Sequence, residues 1–153
     1  MAEEDINSNH KRQWVAEVLN YSSQYDSDDW CATQLIGAPR IYPQYGDLAG
    51  TWAPDYGEDQ FIEVKYAMPV YVKHLNIYET YNCGAISAIK VKDQESGVWI
   101  NVWERETAPT EAIITSRIFS PVLNKTVFKS DEIRIELDCS VFGSWSEIDA
   151  IGK

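Results

Sequence analysis

The sequence predicts a single all-β domain, a β-sandwich or a barrel, on three observations. Short segments in which apolar and polar residues alternate recur along most of the chain, and turns rich in Pro and Gly separate them. No long segment keeps the apolar period of an amphipathic helix. The 153 residues can bury a core, and a hydrophobic content of 44% is typical of a globular domain. We therefore expect a polar lead-in over residues 1–13 and one domain over 14–153.

Eight segments have the composition of strands. In chain order they are WVAEVLNY (14–21), FIEVKY (61–66), VYVKHLNIYE (70–79), ISAIKVK (86–92), VWINVWE (98–104), AIITSRIF (112–119), EIRIELD (132–138) and SEIDAIG (146–152). Within EIRIELD the alternation is strict, so Ile133, Ile135 and Leu137 are expected to face the core and the charged residues between them the solvent. One short helix is expected over DSDDWCATQLIG (26–37), with Asp28 as its cap and Gly37 at its end.

Net charge limits the partners. At −11, with an isoelectric point near 4.5 and no cluster of Lys and Arg, the chain is not expected to bind nucleic acid or an anionic membrane surface. The same charge permits cations, neutral sugars and basic proteins. No signal-peptide core precedes the first strand, and no apolar run is long enough to span a membrane. We interpret the protein as cytoplasmic or otherwise intracellular, with secretion through an unseen signal left open.

The residues that carry most enzyme chemistry are missing or isolated. The two histidines, His10 and His74, lie in the lead-in and in a predicted strand, and there is no G-x-S-x-G elbow and no phosphate-binding glycine loop. The D-S-D-D run at 26–29 lacks the glycine and closing glutamate of an EF-hand. The three scattered cysteines suit neither a disulfide framework nor zinc, so we expect them to be reduced. The sequence predicts a protein that is not an enzyme.

Two stretches are candidates for binding. In YPQYGDLAGTWAP (42–54), the Asp47 carboxylate, the Thr51 hydroxyl and backbone carbonyls are the hard oxygen ligands that calcium prefers, although ordinary turn chemistry also places an Asp beside glycines. The aromatic residues at strand ends and in loops are the second set of candidates for binding. We expect Trp52 and Trp99 to pack between the sheets. Tyr81, Asn82 and Trp145 lie at strand ends, where they suit either a sugar ring or a partner protein.

Several of these stretches together carry a family resemblance. SSQYDSDDWCATQLIGAPRIYPQYGDLAGTWAP, QFIEVKYAMPVYVKHLNIYETYNCGAI and the terminal EIDAIG resemble the galactose-binding-like (discoidin-like) jelly-roll superfamily. Within it the sequence is most similar to the discoidin-like domain of leucine-rich-repeat F-box proteins and pappalysins. The resemblance spans roughly residues 14–152. It implies an eight-stranded antiparallel jelly-roll β-sandwich in which the first and last strands lie close together.

The resemblance also implies a structural calcium ion. Many members of the superfamily hold one between the long loop after the first strand and a glutamate before the last strand. Asp47 falls on the loop acid and Glu147 on the late glutamate, with carbonyls of the 37–51 loop and of Ser146 completing the shell. The usual D-G-D-x-x-T-x-W pattern reads Y-G-D-L-A-G-T-W here, so one acid is missing and one residue is inserted.

Members of this superfamily mostly bind glycans, membrane headgroups or proteins through loops at one end of the sandwich. That placement suggests a ligand-binding rim made of Asp55, Tyr56, Tyr81, Asn82, Arg105 and Trp145. The leading hypothesis is a non-enzymatic, lectin-like carbohydrate-binding module; the alternative is a protein–protein interaction or adaptor domain. The expected partner is thus a glycan or a protein, and a homo-oligomer, which suits multivalent lectins, is left open. The fucose-binding His and Arg signature of F-type lectins is absent, so nothing specifies that sugar.

Overall fold

A computed structural model describes residues 12–55 and 57–153, and these residues form two antiparallel sheets packed as a sandwich. The strands are β1 (Glu17–Tyr21), β2 (Asp59–Val70), β3 (Asn76–Tyr81), β4 (Ile86–Asp93), β5 (Val98–Glu104), β6 (Arg117–Phe119), β7 (Ser130–Asp138) and β8 (Glu147–Gly152). One sheet has the order β1-β2-β7-β4-β5 and the other β6-β3-β8. The predicted eight-stranded all-β sandwich is confirmed.

The predicted and observed strand bounds agree to different degrees along the chain, and β2 and β7 extend beyond their predicted segments 61–66 and 132–138. β5 matches its predicted segment. The predicted strand 70–79 is wrong, because Val70 ends β2 and β3 begins at Asn76. Between them the buried residues Val72 and Leu75 are three positions apart. Side chains three positions apart point to opposite faces of a strand, so a regular strand could not bury both in the same core. His74 therefore lies in a loop, where it is exposed.

Two further predicted strands are shorter than expected. Only Arg117–Phe119 of segment 112–119 belongs to a ladder; Ile113 makes a single bridge to Cys83, and Ile114 is 77% exposed. That run is apolar without facing the core. At the beginning of the chain, β1 starts at Glu17 rather than Trp14, which forms a bridge to Gly152.

The predicted helix over 26–37 is replaced by a single turn of 3-10 helix at Ala32–Leu35. Asp28 does not cap it, since the capping position is Cys31, which makes no side-chain hydrogen bond to the turn. Asp26 instead accepts hydrogen bonds from the backbone N–H groups of Asp28 and Trp30, at 3.1 and 2.8 Å. The segment is therefore a side-chain-bonded turn. Gly37, as expected, follows it in a positive-φ conformation (93°).

The core lies between the sheets. Ile133, Ile135 and Leu137 of β7 are buried in it, as predicted, together with residues of β2, β4, β3 and β8. Trp52 is also in the core, with 0% exposure. Trp99 is not: it is half-buried on the outer face of the five-stranded sheet, with the Lys92 ammonium 5.7 Å from its ring centroid, and its predicted core position is wrong. Trp99 is paired with Lys92 of β4, and its strand β5 is the last in the five-stranded sheet formed by the described residues.

The two ends of the described chain meet. Gln13 and Lys153 exchange backbone hydrogen bonds of 3.1 and 2.9 Å, so paired backbone begins one residue before the predicted domain boundary. β1 and β8 nevertheless belong to different sheets. The three cysteines, Cys31, Cys83 and Cys139, are buried and free in this structure. No helix formed by the described residues has the length and apolar character needed to cross a membrane.

Strand register gathers four loops at one end of the sandwich. Tyr21 pairs with Ile62, Asp59 with Asp138, Ile86 with Leu137, and Tyr81 with Glu147. Because these pairs all lie at the same end of their strands, segments 22–55, 82–85, 105–116 and 139–146 come together there. We call this end the loop rim. The described binding residues that the sequence predicts belong to segments of the rim or to the strand ends below it.

Candidate binding site at the loop rim

The long loop between β1 and β2 is tied to β8 by a buried acid. Asp149 has 1% exposure, and its carboxylate accepts hydrogen bonds from the backbone N–H groups of Arg40 (3.1 Å), Ile41 (2.9 Å) and Tyr42 (2.8 Å). Further along, the Trp52 backbone bridges Ile148 of the same strand. The loop that carries Asp47 is thus held at both ends against β8.

Between these two ties lies a pair of acids. Glu147 has 0% exposure, and its Oε1 accepts hydrogen bonds from the Leu48 backbone N–H (3.1 Å) and the Thr51 hydroxyl (3.0 Å). Its Oε2 accepts one from the indole N–H of Trp145 (3.0 Å). The Asp47 carboxyl, although exposed, lies close enough to Glu147 to influence its ionisation. The structure therefore brings together the two acids that the family resemblance implied.

Burial controls the ionisation of Glu147. Loss of hydration raises the pKa of its carboxyl to about 8, and the neighbouring Asp47 carboxyl favours the protonated form further, since that form can donate a hydrogen bond to Asp47. The hydrogen bonds from Trp145 and Thr51 act in the opposite direction. A carboxyl pair of this kind is relieved by a shared proton or by a cation.

The residues around the pair fit a hard cation in part. Oxygen ligands are available from both carboxyls, the Thr51 hydroxyl and the Leu48 carbonyl, which lies 3.2 Å from that hydroxyl. The predicted ligand Ser146 turns its hydroxyl elsewhere, donating to the Asn82 carbonyl at 2.7 Å, so only its backbone carbonyl remains. Residues 12–55 and 57–153 hold no cluster of three or more His, Cys, Asp or Glu suited to a metal. Any cation here would be completed by neutral oxygens.

Next to the acid pair is an aromatic cluster of Tyr45, Tyr81 and Trp145. The Tyr45 and Tyr81 ring centroids are 5.8 Å apart, and those of Tyr81 and Trp145 are 5.7 Å apart, with interplanar angles of 45° and 43°. Trp145 is 40% exposed, and the two tyrosines are half-buried. The three rings therefore form a continuous, partly open aromatic surface on the rim.

Asn82 is fixed at the centre of this surface. Its side-chain amide donates to the Trp145 carbonyl (2.8 Å), and its backbone N–H donates to the Tyr45 hydroxyl (3.2 Å). It adopts φ = 45°, the left-handed region that Asn tolerates better than most residues. Because the Trp145 indole N–H is bonded to Glu147, the aromatic cluster and the acid pair share one wall.

Of the six predicted rim residues, the structure groups three. Tyr81, Asn82 and Trp145 contact one another. Asp55 is exposed and its backbone N–H donates to the Ser23 hydroxyl at 3.0 Å. Arg105 forms an ion pair of 2.6 Å with Asp138. Within the described part of the chain, these contacts of Asp55 and Arg105 do not join them to the aromatic cluster, and Tyr56 lies outside the described residues.

Sequence reasoning missed Tyr45 and Asp149. Tyr45 lies two residues before Asp47 in an aromatic-rich loop, a position that could have placed it beside the acid. Asp149 gave no such signal. In SEIDAIG it alternates with Ile148 and Ala150 in the manner of a solvent-facing residue, yet the loop packs over that face of β8 and buries it.

Sequence comparisons relate this chain to two known proteins. A family model for the C-terminal SD scarf domain of pappalysin-1 matches residues 4–152. The F-box/LRR-repeat protein 4 of Bos taurus is 25% identical over 172 residues, which cover 91% of this chain and 28% of that protein. The chain thus spans little more than a quarter of the length of this curated relative.

Solved structures with the same fold include sugar-binding and protein-bound domains. The family 32 carbohydrate-binding module of Streptococcus pneumoniae EndoD has a TM-score of 0.65 at 10% identity, covering 91% of this chain and 97% of that one. The family 32 module of C. perfringens NanJ, in complex with galactose, has a TM-score of 0.63 at 16% identity, covering 92% and 97%. Reduced XRCC1 bound to the DNA polymerase beta catalytic domain has 0.65 at 14% identity, covering 92% and 96%. At these identities the likeness shows the fold alone.

Proposed function

This chain belongs to the family of the pappalysin-1 C-terminal SD scarf domain, and from that premise we propose that it is a non-enzymatic, glycan-binding module whose ligand meets the loop rim. The observation that carries the proposal is the partly open aromatic cluster of Tyr45, Tyr81 and Trp145, with Asn82 fixed among the rings. Sugar rings present apolar C–H faces to such a surface, while their hydroxyls need polar neighbours.

The neighbouring groups supply those polar partners. The Tyr45 hydroxyl, the Asn82 amide and the exposed Asp47 carboxylate lie around the rings and can donate to or accept from sugar hydroxyls. The fold is shared with the galactose-bound module of NanJ and the carbohydrate-binding module of EndoD, which supports a sugar ligand by analogy. The net charge of −11 favours a neutral glycan over an acidic one.

Trp145→Ala is expected to weaken glycan binding by at least about tenfold, because it removes the most exposed ring of the cluster. A glycan array at millimolar calcium would identify the sugar, and titration calorimetry of each variant would give its Kd. Trp145→Phe, which keeps a ring, should retain most of the affinity. Tyr71→Ala, which removes an exposed aromatic from the loop after β2, should retain all of it.

A protein-binding adaptor would give a different result. An array without hits above background, together with one stoichiometric protein partner that free sugars do not displace, would reject the glycan proposal in favour of an adaptor role. Because Trp145→Ala also removes a hydrogen bond to Glu147, its melting temperature has to be compared with that of the wild type before binding is interpreted.

We further propose a structural calcium ion at the acid pair. The carboxyls of Asp47 and Glu147, the Thr51 hydroxyl and the carbonyls of Leu48 and Ser146 are its ligands. What supports the ion is the close approach of two acids at a buried position, where a divalent cation would replace the proton that otherwise has to be shared. The ion would lock the loop against β8 beneath the aromatic cluster.

Added calcium is expected to raise the melting temperature, and more at pH 8.5 than at pH 5. Since the folded-state pKa of Glu147 is raised from 4.5 to about 8, the folded protein binds more protons than the unfolded chain between these values, and without metal its stability falls as pH rises through that window. At pH 5 protons therefore occupy the site, and at pH 8.5 calcium stabilises the ionised pair.

Asp47→Asn and Glu147→Gln should abolish this calcium response, whereas Asp131→Asn, at an acid far from the pair in β7, should preserve it. Scanning calorimetry with calcium and with a chelator measures the shift. An unchanged melting temperature in the wild type at pH 8.5 would eliminate the calcium site while leaving the glycan proposal untouched.

A further inference from the structure

The outer face of the five-stranded sheet has a cavity above Ala88, whose side chain is smaller than those around it. Ala88 of β4 pairs with Glu104 of β5 on one side and Glu136 of β7 on the other. Longer side chains stand around it, and a cavity of about 480 Å³ remains above its methyl group. Its walls include Lys90, Trp99, Asn101 and Arg105.

A bulge in β5 sets the chemistry of this wall. The register with β4 shifts between Ile89, which pairs with Trp103, and Lys90, which pairs with Asn101. The extra residue brings Asn101 and Glu104 to the same face, where the Asn101 amide donates to Glu104 Oε2 at 3.2 Å. Trp103 is turned to the opposite side and packs on Phe119 with ring centroids 5.1 Å apart.

A second cavity, of about 520 Å³, continues the first over the end of β5. The two share Glu104 and Arg105. The second is also lined by Val102 and Trp103, which turn away from the first, and by Glu106, Thr107, Val122 and Asn124. The segment that contains Asn124 is held to β5 by a backbone hydrogen bond of 2.8 Å to Val102. Together the two cavities form one open groove, here called the β5 groove, that runs from Trp99 to Asn124.

The groove presents both hydrogen-bond donors and acceptors, with Trp99 lining its first cavity and Trp103 its second. Lys90 is neutralised by Glu136 at 2.9 Å and Arg105 by Asp138 at 2.6 Å, which leaves the carboxylates of Glu104 and Glu106 as acceptors. Such walls disfavour nucleic acid. They also differ from the core of a protein interface, which is depleted of charge and rich in apolar side chains.

Arg105 is suited to respond to a ligand. Its Nη2 holds Asp138, whereas its Nη1 is buried and has no hydrogen-bond partner within residues 12–55 and 57–153. Because the guanidinium is rigid, a movement that brings Nη1 to the groove surface has to pivot about the contact of Nη2 with Asp138, and it breaks no hydrogen bond of Nη1 itself. A hydroxyl oxygen bound there would give this nitrogen the acceptor that it lacks.

We propose that the β5 groove is a second, extended subsite for a neutral oligosaccharide, with Trp99 as the platform for one sugar ring and Asn101, Glu104 and Arg105 as partners for the hydroxyls of the next. This inference rests on the proposed glycan-binding function but uses residues separate from the aromatic cluster on the rim. Its consequence is that affinity rises with the length of the sugar chain.

The two subsites have separate reporters, because the six tryptophans give separate indole N–H signals in nuclear magnetic resonance spectra. The probes are galactose and N-acetylglucosamine, each as the monosaccharide and as the β1,4-linked tetrasaccharide. We expect a tetrasaccharide to shift the Trp99 indole signal, assigned from Trp99→Phe. We expect Trp99→Ala to weaken tetrasaccharide binding about tenfold and to leave the monosaccharide Kd unchanged.

Tyr71→Ala is the matched control, since the Lys129 ammonium lies 5.7 Å from the Tyr71 ring as Lys92 does from Trp99. That variant should bind every probe as the wild type does. A response of Trp145 without any response of Trp99 would overturn the groove and retain the rim. A response of Trp99 alone would retain the groove and overturn the rim, and silence of both signals with all four probes would overturn both.

Discussion

Trp52→Ala is expected to lower the free energy of unfolding by about 3–5 kcal/mol, enough to leave a domain of this size marginally folded. The side chain has 0% exposure and belongs to the core between the sheets. Its indole N–H also donates to the Ser23 carbonyl at 2.9 Å, which ties the start of the β1–β2 loop to its end. The variant therefore loses apolar burial, creates a cavity and leaves a carbonyl without its donor. Urea denaturation followed by circular dichroism measures the change.

Trp99→Ala is the control for the loss of unfolding free energy in Trp52→Ala. The two tryptophans have the same chemistry, but Trp99 lies on the outer sheet face at the edge strand, so its removal should cost less than about 1 kcal/mol. Equal losses in the two variants would contradict the placement of Trp99 outside the core. Retention of most of the stability in Trp52→Ala would contradict the placement of Trp52 within it.

Trp52 and Trp99 also show which features of the fold the sequence could predict. Both were expected between the sheets, and only Trp52 is there. A tryptophan in a strand does not reveal whether the strand is central or at an edge, because that depends on pairing with residues far away in the chain. β5 became an edge strand only once β4 had paired with β7 on its other side. Its bounds were predicted correctly, but the side of the sheet that Trp99 faces depends on the register with β4, which the sequence alone does not give.

Some residues of the candidate site were likewise predictable from the sequence, and others were not. Asp47 and Glu147 are a hundred residues apart in the chain, and only the family resemblance connected them; composition and periodicity could not. Trp145 and Tyr81 were recognisable as aromatics at strand ends. Tyr45, the third ring, was passed over because its loop had been interpreted for its acid. Arg105 was assigned to the rim as a loop residue, and the structure places it at the start of the rim segment 105–116, where it also lines the β5 groove.

A rigid loop is what allows the rim to act as a binding surface. Tyr45 and Asp47 lie on an irregular segment, and irregular segments lose much conformational freedom when they are held in one arrangement. Here that ordering is already achieved before any ligand arrives, because buried groups on β8 accept the loop's backbone hydrogen bonds at one end and a core tryptophan holds the other. A ligand then binds without having to order its own site.

Asp149→Ala should show this directly. Three backbone N–H groups, those of Arg40, Ile41 and Tyr42, would lose a shared carboxylate acceptor at a buried position, at an expected cost of about 3 kcal/mol in unfolding free energy. Unlike Trp52→Ala, the change removes almost no core volume, so the loss should be concentrated in the loop. Amide hydrogen exchange is expected to accelerate strongly at residues 40–42 while the central strand β7 keeps its protection relative to global unfolding.

The same variant separates loop ordering from ligand contact. Asp149 lies outside the aromatic cluster, so a ligand that requires a preordered Tyr45 would bind Asp149→Ala more weakly although no contacting residue has changed. Asp149→Asn keeps one acceptor oxygen but turns N–H donors toward other N–H donors, and its stability should fall between those of the wild type and the alanine variant. If Asp149→Ala and the wild type had equal exchange rates at residues 40–42, the carboxylate would not be what orders the loop, and the rim would owe its rigidity to Trp52 and the acid pair instead.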